Sequence, residues 1–290
     1  MLKWELISIL AMLGLGIFAV GARGQEKGAA LKKAVLFYAS FDEKLTPDIG
    51  AGTLATRFNH EKEAGKFVFA EGFDKKKFRV AKKKGIAGGC LEAVDVLPRN
   101  GRIFYPVKGN LAFKKGGWGG AMSMWINTDP NKLLKTTFCD PIQITQKGAN
   151  NGGIWFDFNN AKPRDLRMGV FPAVREGTVG AKESDAGAPM VRVPKVAFKQ
   201  GEWHHVVIMW KNFDTGKKNA HATLFIDGKK IGDVKDRAIA MDWDVEKAGI
   251  YIAVNYIGLI DELALFNRPL TGAEVNLLHE NPGLLTALKK

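Results

Sequence analysis

Cysteine is nearly absent: Cys90 and Cys139 are the only two in 290 residues. A small fold held together by a disulfide framework is therefore excluded. One bridge between the two is chemically permissible if the chain is exported. Two buried thiols are the other reading, and sequence cannot place their Cα atoms within bridging range. Acid is short as well, with 30 Asp and Glu against 43 Lys and Arg and a net charge of +13. There is no internal repeat and no low-complexity tract. No Gly-x-Ser-x-Gly elbow is present, which removes one common hydrolase triad. No glycine-rich phosphate loop opens a helix, because Gly116-Gly117-Trp118-Gly119-Gly120 leads into a strand pattern and reads as a flexible turn. The EF-hand spacing is missing. No nucleic-acid-binding motif appears, so nucleic acid is excluded as an expected partner.

Long apolar runs are also missing. The longest is Leu6–Val20, 15 residues, where a membrane helix needs about 20. Lys3 precedes it, and the small-residue stretch Val20-Gly21-Ala22-Arg23-Gly24 follows. That order predicts a signal peptide over 1–24, cut after Ala22 or Gly24. The protein is then secreted or held in the cell envelope, and touches a membrane only if the leader is uncleaved. Residues 25–33 read as a polar linker.

What the chain does have is short β-branched and aromatic runs separated by turn residues. Trp203–Trp210 and His221–Ile226 are two of them, joined through Asn212–Asn219 and followed by Asp227-Gly228. Asp-Gly suits a tight hairpin, since glycine accepts positive φ. An antiparallel meander follows. Strands are also predicted over 34–41, 67–69, 78–80, 90–94, 103–106, 121–127, 140–146, 153–158, 166–171, 191–198, 250–254 and 259–266. One helix is predicted, where Thr271-Gly-Ala-Glu274 fits a capping box and Asn281-Pro282-Gly283 stops it.

Gly-Glu-Trp-His-His-Val-Val from Gly201, and Leu224-Phe-Ile-Asp-Gly-Lys229, resemble the LamG-like, concanavalin A-like jelly-roll family. Gly258–Glu274 resembles its closing strand and last helix, and Phe41-Asp42 its opening strand. The resemblance implies an all-β, antiparallel two-sheet jelly-roll sandwich over 34–283, with a short C-terminal helix and a tail over 284–290. It does not imply an activity, because this scaffold carries lectins, adhesion modules and hydrolases. With no catalytic set visible, the expectation is a non-catalytic module that recognises extracellular carbohydrate or protein. The lysine pairs and triplets (Lys75–Lys77, Lys82–Lys84, Lys114-Lys115, Lys217-Lys218, Lys229-Lys230) point toward anionic partners, or toward a structural cell-envelope protein held by its basic surface, although a solvated surface is the commoner reason for such clusters.

Candidate side chains follow from the same pattern. Gly153–Phe158 sets Trp155 and Asp157 on one side against Ile154, Phe156 and Phe158, which predicts an exposed indole able to stack on a sugar. Trp243 and Tyr256 lie near predicted loops and are the other ligand-binding candidates. Calcium is the expected ion, with Asp42, Asp261, Asp242 and Asp244 as oxygen donors. Asp42 and Asp261 sit on the first and last strands of the match. The run Asp242-Trp243-Asp244-Val245-Glu246 carries the alternative: a glycoside hydrolase using Asp242, Asp244 and Glu246. Alternate carboxylates share a face only on a strand, and the resemblance puts this run in a loop. His204 and His205 are adjacent on a strand and point to opposite faces, so they cannot ligate one ion and are expected to pack or hydrogen-bond within the sandwich. Glu176–Pro189, rich in Gly, Ala and Ser, reads as a mobile loop.

Overall fold

A computed structural model describes residues 28–59, 67–98, 101–135 and 137–289. The expected leader lies outside them. Residues 28–33 are helical. A separate compact unit spans Val35–Lys290. Its strands, in chain order, are β1 Val35–Ala39, β2 Ala55–Asn59, β3 Phe67–Glu71, β4 Phe78–Ala81, β5 Cys90–Ala93, β6 Arg102–Pro106, β7 Trp118–Asn127 and β8 Cys139–Thr145. They continue as β9 Gly153–Phe158, β10 Leu166–Phe171, β11 Met190–Val193, β12 His204–Phe213, β13 Ala220–Ile226, β14 Lys229–Arg237, β15 Gly249–Val254 and β16 Gly258–Phe266. The C-terminal helix is Gly272–Glu280.

The strands form two antiparallel sheets. The first runs β14-β13-β12-β7-β16-β5-β4, with β1 also on β16; the second runs β11-β10-β9-β8-β15-β6-β2-β3. Period-2 alternation sorts each strand's side chains between the core and the outside. Met122, Met124, Val206 and Ile208 enter the core from the first sheet, and Ile142, Ile144, Ile154, Phe156, Met168, Ile250 and Ile252 from the second. The family's expected sandwich is therefore what forms.

Local chemistry explains the details. Asp227 (φ 50°) and Gly228 (φ 75°) make the β13–β14 turn with both central residues left-handed, and the Asp227 carboxylate accepts from the His205 amide at 2.8 Å. Thr271 caps the C-terminal helix in a reciprocal box with Glu274. Glu274 also pairs with Arg268, which holds its carboxyl down at about 2. The glycine run differs from its expected role as a turn, because Trp118, Gly119 and Gly120 begin β7. A Cβ on Gly120 would sit 2.7 Å from the Trp210 ring and 3.0 Å from the Phe266 carbonyl, so close packing explains this glycine. Cys90 lies in β5 and Cys139 in β8, on different sheets; both are buried free thiols, and burial pushes each up to about 12. The expected tail contains a 3-10 turn, Leu284–Leu288, with Leu285 buried.

Candidate functional site

The outer face of the second sheet carries the most chemistry. In register across it lie Phe104, Tyr251, Gln143, Trp155 and Gly169. A neighbouring row holds Arg57 opposite Arg102, and Asp157 opposite Arg167, with Arg192 beyond. Two joined hollows open on this face. One, of about 250 Å³, is lined by Arg102, Phe138, Asp140, Gln143, Asp157 and Asn255 among others. The other, of about 590 Å³, is lined by Phe138, Asn150, Asn159, Arg167, Lys182 and Arg192 among others. Phe138 and Glu183 wall both.

Arg167 organises the floor. Its Nε and Nη2 donate to the two oxygens of Asp157, the first at 2.8 Å, and Nη1 donates to Glu183 at 2.5 Å. A guanidinium fork matched to a carboxylate in this way fixes geometry as well as charge. Glu183 also accepts from Asn150 Nδ2 at 2.9 Å, which ties the 181–184 segment to the sheet. Gln143, with its amide in the orientation that satisfies both ends, donates to Asp140 at 3.1 Å and accepts from the Ala149 amide at 2.8 Å. Burial raises both aspartates. Asp157 comes to about 6 against the pull of Arg167, while burial and the Asp157 charge drive Asp140 well above the carboxylate range.

Trp155 lies on the side of the sheet that its alternation predicts, but it is 1% exposed. The expected open indole is corrected by its surroundings. Nε1 donates to the Ala149 carbonyl at 3.0 Å, Phe171 stacks on the ring, and Arg167 lies over it at 5.3 Å. Gly169 makes room, since a Cβ there would come within 2.2 Å of the indole. Alternation assigns a face; it does not say what covers it. The aromatic ring open to solvent here is Phe138, 39% exposed. Trp243 is buried against Phe113 and Trp118, with Nε1 donating to the Gly152 carbonyl at 2.7 Å. Tyr256 is fully buried, and its hydroxyl donates to the Leu259 carbonyl at 3.2 Å. Neither ring faces solvent, because both pack into the hydrophobic core.

Asp42 and Asp261 both converge on the 85–89 loop. Asp42 Oδ1 accepts from the Gly89 amide at 2.7 Å and Asp261 Oδ2 from the Ala87 amide at 3.2 Å. Lys289 pairs with the other Asp42 oxygen. Burial and the Glu262 charge push Asp261 up to about 8. Asp242 and Asp244 lie elsewhere, in the 238–248 loop, paired with Lys115 and Lys247, and Glu246 pairs with Lys108. Each carboxylate of that run meets its own lysine, so the three do not converge as the hydrolase alternative requires. His204 stacks on Phe198 at 3.7 Å and pairs with Asp227, whereas His205 meets Ser123 Oγ at 2.8 Å on the opposite face. Among the described residues no three His, Cys, Asp or Glu side chains are grouped to hold a metal.

Comparison with known proteins comes next. The family model described as "Concanavalin A-like lectin/glucanases superfamily" matches residues 110–276. No curated protein matches the chain. Among solved structures, domain 4 of AbnA, a GH43 extracellular arabinanase from Geobacillus stearothermophilus, in complex with arabinotriose, is 15% identical. Its TM-score is 0.50, over 85% of this chain and 98% of that one. The botulinum neurotoxin serotype D binding domain is 12% identical with a TM-score of 0.52, over 88% of this chain and 52% of that one. The same toxin domain in complex with N-acetylneuraminic acid gives 11% and 0.51, over 88% and 52%. This chain spans about half of those toxin domains. At such identities the likeness shows the fold alone.

Proposed function

This chain belongs to the concanavalin A-like lectin/glucanase superfamily, and from that premise we propose that the cleft on its second sheet is a non-catalytic glycan-binding site. One observation carries the reading. Phe138 stands 39% exposed at the wall shared by both hollows, above a floor of amides and paired charges. An exposed ring offers a sugar its apolar face, and the surrounding Asn, Gln and carboxyl groups match sugar hydroxyls. Arg167, Asp157 and Glu183 bind one another, which makes them a rigid floor rather than a reacting pair. That arrangement favours recognition over turnover. The glycan complexes of the arabinanase domain and the neurotoxin domain support carbohydrate as the ligand class.

The test is calorimetric titration of neutral and acidic oligosaccharides. Phe138→Ala is expected to weaken binding about 10-fold, the effect of losing a stacking platform. Melting temperature should hardly change, since the ring is exposed. Unchanged affinity in Phe138→Ala would remove the cleft as the site.

Calcium is proposed at the corner where Asp42 and Asp261 meet the 85–89 loop. Its support is the convergence on that loop of Asp42, just beyond β1, and Asp261 on β16. An ion there would displace the Lys289 ammonium from Asp42. Thermal unfolding with calcium and then with chelator checks this: a rise reversed by chelator supports it, and no shift at millimolar calcium rejects it.

A further inference from the structure

The two hollows differ in how their cations are matched. In the larger one Arg167 is neutralised by Asp157 and Glu183, and Arg192 lies 3.5 Å from Asp165. In the smaller one Arg102 lines the wall, and among the described residues it makes no hydrogen bond or ion pair. Its guanidinium lies 5.9 Å from the Tyr251 ring centre. Arg57 stands directly opposite it across β2 and β6 and approaches the same ring, also at 5.9 Å, with Nη1 donating to Tyr251 Oη at 2.6 Å. The Asp140 carboxyl lies within reach of the Arg102 charge, and burial disfavours its ionised form. The smaller hollow therefore presents a guanidinium that makes no hydrogen bond or ion pair among the described residues.

What would complete it is a single planar anion. A guanidinium fork accepts a carboxylate bidentately. The rest of the lining suits the body of a sugar ring: Phe138 for its apolar face, and Gln143, Asn255 and Thr137 for its hydroxyls. Asp157 and Glu183 on the far wall are already engaged by Arg167. We propose that the smaller hollow binds the carboxylate-bearing ring of an acidic glycan, a uronic or sialic acid residue, with Arg102 holding the carboxylate. This rests on the glycan-binding reading above and adds its ligand class. The net charge of +13 would favour the approach of such a polymer.

The test titrates the full-length chain with trigalacturonic acid and its methyl ester, and with sialyllactose and lactose. At least one acidic sugar is expected to bind about 10- to 100-fold more tightly than its uncharged counterpart, the scale of one charge-assisted pair. Arg102→Gln should erase that preference and leave the melting temperature as it was. Arg102→Lys should keep part of it. Equal binding of acid and ester overturns the carboxylate assignment and leaves the glycan-binding site standing. A preference that survives in Arg102→Gln but disappears with salt belongs to the surface lysines and also overturns it. Failure of every sugar, charged or neutral, overturns both.

Discussion

The outer faces of the two sheets look alike in sequence and behave oppositely in the structure. Each strand pattern alternates small or polar groups with a tryptophan: Ser123 and Trp125 on β7, Trp155 and Asp157 on β9. On the first sheet the C-terminal helix lies over this pattern. His279 from the helix stacks on Trp125 at 5.5 Å and on His205 at 5.8 Å, and His205 stacks on Trp125 at 4.9 Å. Nothing there leaves room for a ligand between the rings. On the second sheet two loops, 147–152 and 181–184, reach in from the edge and stop short, leaving the cleft between Phe138 and Arg192. The same kind of strand becomes a helix bed in one place and a binding floor in the other. What differs is which later segment of chain covers it.

The largest expected effect breaks the cleft floor. Arg167→Ala strands two carboxylates, one of them 4% exposed. Removing one partner of a buried pair costs about 3–5 kcal/mol, because the remaining charge is left uncompensated. Urea denaturation should show that loss. The double variant Arg167→Met, Asp157→Leu should recover most of it, since a packed apolar pair replaces the buried ions. If the single variant loses under about 1 kcal/mol, Asp157 is not structurally committed to Arg167 and the floor is not rigid.

Much of this fold was legible in the residues, and less of the site. The β-branched runs marked almost every strand, and Asp227-Gly228 and the Thr271–Glu274 box marked a hairpin and a helix start. The missed strand is β2, Ala-Thr-Arg-Phe-Asn, whose mixed polarity gives no clean period. It is paired on both sides, by β3 and β6, so tertiary pairing supplies what its pattern lacks. For the site, Trp155 and Asp157 were visible as one side of a strand. Asp140, Arg167 and Glu183 were not visible as their partners, because they come from β8, β10 and a loop thought to be mobile. The alternation of Leu-Arg-Met-Gly-Val-Phe in β10 held a usable signal: an arginine on the same side as a glycine, in a strand otherwise apolar. A charge in a buried strand calls for a buried partner. Exposure was the weakest inference, since it depends on loops whose course no local pattern encodes.

The covered face offers the smaller and subtler prediction, through pH. His205 is 1% exposed, and burial together with the His279 charge pushes it down to about 3. In the unfolded chain a histidine titrates near 6.5. Its folded value is depressed, so it contributes stability that is present above about pH 6.5 and is lost as pH falls toward 3. At most about 1.4 kcal/mol goes per pH unit, or about 2 kcal/mol by pH 5. Urea midpoints taken from pH 7 to 5 should fall accordingly, and His205→Gln should flatten that limb. The cleft face has the opposite sign. Asp140 is raised, so its contribution is present below about pH 3.9 and is lost as pH rises above that value. Asp140→Asn should therefore stabilise the chain at pH 8 and leave the acid limb alone. Each variant moves only its own limb if the two faces are independent. If His205→Gln leaves the acid limb as steep as before, the imidazole under the helix is not the group being protonated, and the helix does not seal that face as tightly as its stacked rings imply.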